Sequence, residues 1–217
     1  MAKKGFRGAV ISDEPRDVDA RLVELGLTQQ KLRDALEAGL AAAALATANH
    51  PPNFGGTSLW AEAVRGLRET LIPKGWHRDN SYNFATVVRG DGKIAIAVAA
   101  GDAGTGDKDL HPSTSYKRGP VMIGKVEVNQ HLPFDHLPVG YGDPDPNAPE
   151  ATWILLHYRE HDELRCELSL PVTINKKGFV ETWGERVILT PIDIDPARVR
   201  ILDDEPVEPT IEIKRRA

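Results

Sequence analysis

The fold expected of this chain is α+β, with N-terminal helices packed on a mainly antiparallel sheet built from hairpins. Three observations predict it. Apolar residues recur at helical spacing through the first third of the sequence, the pattern changes to period two near Phe84, and the links between the alternating runs are too short for parallel crossovers.

The segment "DVDARLVELG" reads as the first helix, with Asp17 as its N-cap and Gly26 as its stop. A second helix follows in "TQQKLRDALEAGLAAAALATAN", capped by Thr28. There Leu32, Leu36 and Leu40 recur every four residues beside a band of alanines that lets another backbone come close. Thr57 or Ser58 caps the third, "LWAEAVRGLRETLI", where Trp60, Val64 and Leu67 lie at helical spacing until Pro73 and Gly75 end it. In "NFATVVRGDGKIAIAV" two β-prone runs are joined at Gly90, Asp91 and Gly92, a hairpin signal. Ile94, Ile96 and Val98 take one face of the second strand, and Ala95, Ala97 and Ala99 give the other a small surface suited to a helix. "VMIGKVEVNQ" has two readings: its valines favour strand, whereas Gly119 as cap and Pro120 in a first turn favour helix. Beyond it, "TWILLHYREHDELRCELSLP" reads as a second hairpin, because Leu164, Cys166, Leu168 and Leu170 alternate with polar residues. "ERVILTPIDI" is a further strand, limited by Pro191.

A single domain is expected over residues 1–202, with a helical part at 1–75, a β-rich part at 81–202, an irregular proline-rich connection at 131–150 and a peripheral tail at 203–217. With 217 residues and 41% hydrophobic content, such a domain needs no metal or disulfide to hold its core. The formal charge of −5 is not the basic excess that nonspecific nucleic-acid binding demands, so any such contact must use a local patch. Cys166 is the only cysteine, which excludes a disulfide framework and a cysteine-rich zinc site and suits a reducing cytoplasm. The opening "MAKKGFRGAV" lacks the apolar centre of a signal peptide, and "AGLAAAALATA" is too short to span a bilayer, so no membrane association is expected.

Chemistry is sought first in "GDAGTGDKDLHPSTSYKRGP", Gly101 to Pro120. Gly101 and Gly106 have the spacing of the two phosphate-loop glycines, but Asp107 stands where that loop needs its lysine. Asp102, Asp107 and Asp109 miss the ligand alternation of an EF-hand. The "HYREH" run, His157 to His161, matches the H-x-x-E-H zinc pattern in letters, yet that chemistry needs a helix and the flanks alternate as strands. His131, Asp135 and His136, with His111 or His77, have the right chemistry for a metal only if distant segments converge. "LVELGLTQQKL" resembles the entry to a helix-turn-helix, but alanines suited to packing follow where a recognition helix needs polar and basic residues.

Two functional readings remain. The first is a non-enzymatic binding or assembly protein, a subunit of a nucleic-acid-handling complex, with a protein partner or a second copy of itself. Its contact residues are Trp76, His77, Arg78, Asn80 and Tyr82 in "GWHRDNSYN" together with Thr105, Lys117 and Arg118, because aromatics among cations stack on bases and neutralise phosphates. The hairpin at Gly90–Gly92 is expected to set these two segments side by side. The alternative is a metal-dependent phosphodiester hydrolase. Its composition resembles that of metal-dependent nucleases: Asp102 and Glu127 would hold a divalent cation, magnesium or manganese, Lys125 would stabilise charge, and His77 or His111 would act as base. It requires "GKVEV" to be extended, so that Lys125 and Glu127 share a face. A third, smaller possibility is a small molecule bound in the same cleft.

Overall fold

A computed structural model describes residues 8–132 and 150–194. Its elements are β1 (Val10–Ser12), α1 (Pro15–Glu24), α2 (Gln29–Ala43), α3 (Phe54–Leu71), β2 (His77–Asp79), β3 (Thr86–Val88), β4 (Ile94–Ala100), α4 (Pro120–Gln130), β5 (Ala151–Glu160), β6 (Glu163–Ile174), β7 (Val180–Ile188) and β8 (Ile192–Asp193). The fold is α+β. The strands form one mixed, mostly antiparallel sheet in the order β1-β7-β6-β5-β4-β3-β2, with β8 paired to β6.

Both expected hairpins form: β3 pairs with β4 in the register Val87↔Ile96, and β5 with β6 from Ile154↔Ser169 to Glu160↔Glu163. The expectation that parallel pairing has no room is corrected. β4 runs parallel to β5 over its whole length, and β1 runs parallel to β7. The long stretch between β4 and β5 carries α4, which supplies the crossover that short hairpin links cannot.

Alternation along the central strands divides the core. Ile94, Ile96, Val98, Trp153 and Leu155 belong to one buried apolar cluster with Val18, Leu22, Leu36, Leu59 and Leu67 of the first three helices. Ala99, Ile154 and Leu156 belong to a second, with Met122 and Val126 of α4. Arg21 of α1 reaches the sheet directly, with its Nη2 2.8 Å from Glu185 and its guanidinium 5.8 Å from the Trp153 ring centre. Between α2 and α3 the backbones nearly touch at Gly39, where an added Cβ would stand 2.5 Å from the Leu59 carbonyl oxygen.

Helix boundaries follow local chemistry, with two corrections. α1 starts at Pro15, whose missing N–H costs nothing in a first turn, and Asp17 lies inside that turn instead of capping it. α3 starts at Phe54 with Asn53 as N-cap, a turn earlier than the expected Thr57 or Ser58, so "FGGT" is helical. Thr28 caps α2 as expected, with its side chain accepting from the Lys31 amide at 3.4 Å. The ambiguous "VMIGKVEVNQ" is helical. Met122, Val126 and Asn129 make its buried stripe, and the Asn129 amide nitrogen donates to the carbonyls of Thr152 (2.8 Å) and Pro171 (2.9 Å), while its oxygen accepts from the Thr152 N–H (2.9 Å). Three satisfied buried hydrogen bonds outweigh the strand preference of its valines. Among the described residues no helix is long and apolar enough to cross a membrane.

Candidate functional site

The Gly101–Pro120 stretch has two parts with different physical roles. Its first part, up to Thr114, is an Ω-like loop with closed ends: Asp102 N–H donates to the Ser113 carbonyl (3.1 Å) and Ser115 N–H to the Ala100 carbonyl (3.0 Å). Its centre is a buried ion pair. Arg186 of β7, 2% exposed in its side chain, donates through Nη2 to Glu167 Oε2 at 2.6 Å and through Nε to Oε1 at 3.1 Å, while the Glu167 side chain is fully buried. The same guanidinium donates to the loop carbonyls of Leu110 (2.8 Å), Asp107 (2.9 Å) and Gly104 (3.3 Å), and Gly106 N–H donates back to Glu167 (2.9 Å). Gly106 has φ +73°, and a Cβ there would stand 2.9 Å from that of Arg165, so only glycine brings this amide so close to the sheet. The loop's glycines and aspartates therefore serve to wrap backbone around a buried cation.

The second part, Tyr116 to Pro120, leaves that loop beside the end of β4 and enters α4. Here the elements converge on a cleft of about 630 Å³. Val98 to Ala100 of β4 and His157 of β5 form its floor, so it opens at the carboxyl ends of the parallel pair, the place where crossover connections leave room for a ligand. The N-terminal turn of α3 contributes Asn53, Gly56 and Thr57, and that of α4 contributes Pro120, Val121 and Met122. First-turn amides have no acceptor within their own helix, so both ends present positive dipole to the cleft. Lys117, Arg118 and two exposed aromatic rings, Trp60 (43% exposed) and Tyr82 (88% exposed), complete it.

Arg118 is held in place by its Nε bond to the Tyr116 carbonyl at 2.9 Å, and Lys117 is exposed. Tyr82 and Asn83 both sit at positive φ, 56° and 61°, a strained pair for non-glycine residues that turns the Tyr82 ring outward. His157 is 7% exposed, and burial pushes its imidazole down to about 4, so it is neutral near pH 7. Its buried Nε2 has no hydrogen-bond partner among the described residues. Among the described residues no aspartate or glutamate lines the cleft, although the chain has 32 acidic residues against 27 lysines and arginines.

The structure brings together only part of what the sequence singles out. Tyr82, Lys117 and Arg118 line the same cleft. Trp76, His77 and Arg78 lie at the other end of the hairpin, beside the turn: His77 pairs with Val88, and Gly75 lies against Gly90. Trp76 is a 5%-exposed core residue, which corrects its assignment to a contact surface. Asn80 is engaged by Arg68, whose Nη2 donates to its Oδ1 at 2.7 Å while also holding the carbonyls of Asp79 and Thr86. Thr105 is fully buried beneath Gly101 and presents nothing to solvent.

The geometry assumed for a metal centre is also corrected. Asp102 Oδ1 accepts from the amides of Gly104 (3.1 Å) and Ser113 (3.0 Å) and so serves the loop's own turn. Lys125 and Glu127 stand two apart on a helix, which turns them to different faces, and Lys125 is paired with Glu150 at 2.5 Å. His77 is exposed on β2, and His111 is exposed on the Ω-like loop, outside the cleft lining. Among the described residues no three His, Cys, Asp or Glu side chains are grouped to hold a metal; Asp135 and His136 lie outside those residues. His157 and His161 sit on β5 and in the turn after it, not on a helix.

Sequence reasoning missed the α3 N-terminus, Trp60 and His157 as parts of one place. The signal for the first was present in "NFGG", where two glycines after an N-cap residue leave first-turn amides uncovered. No family model matches the chain, and no curated protein or solved structure is significantly similar to it.

Proposed function

We propose that this protein is a binding protein for nucleotides, taken up free or as the end of a single strand, in the cleft at the carboxyl ends of β4 and β5. One observation carries the reading: two helix N-termini, Lys117 and Arg118 converge there with no acidic residue among the described residues of the lining, in a chain of net charge −5. Trp60 and Tyr82 supply exposed rings beside this positive field, the combination that stacks on a base while phosphate is neutralised. Asn53 and Asn83 offer amide donors and acceptors for a base edge.

Thermal unfolding in the presence of pooled 5′-mononucleotides tests this reading, since a ligand that binds only the folded chain raises Tm with concentration. Saturable stabilisation is expected, weakening as salt rises. Trp60→Ala and Lys117→Gln are each expected to reduce affinity about tenfold, the size of one stacking or charged contact. Stabilisation equal in both variants and the parent, or none at all, refutes it.

A further inference from the structure

A second chamber of about 330 Å³ adjoins the cleft, and Gly56, Ala100, Tyr116 and His157 line both. Its other walls come from the α2–α3 connection, from the start of α3 and from the end of β5, and no acidic residue among the described ones lines it either. Three groups there lack the partners that their burial or position calls for. Arg159 lines the chamber, and its Nη1 is buried without a hydrogen-bond partner among the described residues. His157 Nε2 is in the same condition, on a side chain more than nine-tenths buried. The first turn of α3 completes the set. Asn53 makes no side-chain cap, and Phe54 N–H is taken by the Pro51 carbonyl at 2.9 Å, which leaves the amides of Gly55 and Gly56 uncapped and without side chains of their own to cover them. His50 stands nearby, with Nδ1 accepting from the Thr47 N–H at 3.0 Å, which leaves Nε2 as one more donor.

Buried polar groups without partners are costly to leave unpaired, and an anion in the chamber would accept from Arg159, from the helix amides and from His157 in its Nε2–H tautomer. We propose that this chamber is a second phosphate subsite, in which Arg159, His157 and the Gly55 amide hold one phosphate while the cleft holds another. Resting on the reading above, the inference narrows the ligand to a nucleotide carrying two phosphate groups. These belong either to a dinucleotide with a 5′-phosphate or to a nucleoside diphosphate, and the shared chemistry is a second dianionic or bridging phosphate passing His157.

Titration calorimetry of the full chain with three mixed-base pools separates the possibilities: 5′-mononucleotides, 5′-phosphorylated dinucleotides and nucleoside diphosphates. At least one two-phosphate pool is expected to bind about tenfold or more tighter than the mononucleotides, the worth of a charge-assisted contact. Arg159→Gln should erase that increment and leave mononucleotide affinity unchanged, which also shows that the variant is folded; Arg159→Lys should retain part of it. Whichever two-phosphate pool shows the Arg159-dependent gain identifies the source. Mononucleotides binding as well as both other pools, or an increment that survives Arg159→Gln, overturns the second subsite and leaves the cleft reading standing. No binding by any pool overturns both.

Discussion

Replacing Arg186 with methionine removes the cation around which the Gly101–Thr114 loop is wrapped. The side chain left behind on β6, Glu167, is fully buried and would hold its charge without a counter-ion. Breaking a buried pair from one side costs about 3–5 kcal/mol. The loop carbonyls of Asp107 and Leu110 also lose this donor, each adding up to about 1 kcal/mol where water cannot replace it, while Gly104 keeps the Asp107 N–H at 3.3 Å. Loop relaxation recovers some of this, so the expected loss is about 4 kcal/mol, a large share of the stability of a domain this size. Arg186→Met combined with Glu167→Met removes both charges and leaves the loop backbone and the buried Ser169 hydroxyl, which donates to Glu167 at 2.7 Å, unsatisfied. It should cost about 2 kcal/mol, making the double variant more stable than Arg186→Met alone. Urea denaturation followed by tryptophan fluorescence reads each term of this cycle. A loss under about 1 kcal/mol for Arg186→Met, or a double variant as unstable as the sum of the singles, refutes the view that the pair organises the loop.

Burial of His157 makes stability depend on pH in a definite direction. Its folded imidazole titrates at about 4 and an unfolded one near 6.5, so below pH 6.5 the unfolded chain takes up a proton that the folded chain refuses. The stability contributed by the neutral ring is complete above pH 6.5, is reduced by about 2 kcal/mol at pH 5, and levels off below pH 4. His157→Gln should flatten that part of the profile, with Arg159, His50, Tyr116 and Tyr158 as the other titratable residues lining the same chamber; urea midpoints at pH 7 and pH 5 that shift equally in variant and parent contradict it. Gly39→Ala should destabilise the chain by about 1–2 kcal/mol despite the better helix propensity of alanine, because the new methyl meets the Leu59 carbonyl. A Tm unchanged or raised shows that α2 and α3 are not in such close contact.

How much of this the sequence discloses depends on the range of the cause. The Gly90–Gly92 reversal and the alternation through Leu164 to Leu170 are local, and both hairpins were legible from them. The parallel placement of β5 beside β4 was not, because it depends on the crossover through α4, and the local pattern of α4 allowed two answers until Asn129 met the carbonyls of Thr152 and Pro171. The start of α3 was hidden because "PPNFGG" has the composition of a loop, and helix propensity penalises the two glycines that expose its amides. Of the segments expected to lie together, the hairpin carried Tyr82 and Asn83 to the Lys117 side but left Trp76 to Arg78 at the turn, since antiparallel pairing brings together only the residues nearest the open end. Asp102 attracted a metal reading for its position past a strand end, and its carboxylate is occupied by amides eleven and two residues further along the chain.

The cleft is tested most directly by titrating the isotope-labelled chain with pooled 5′-mononucleotides and following backbone amide resonances. Saturable shifts are predicted at Gly56, Val121 and Met122, the first-turn amides of α3 and α4 that line the cleft, and at Lys117, while Leu110 and His111 across the Ω-like loop stay still. Shifts confined to the His77–Arg78 edge, scattered over the surface without saturation, or missing at both helix ends contradict the account.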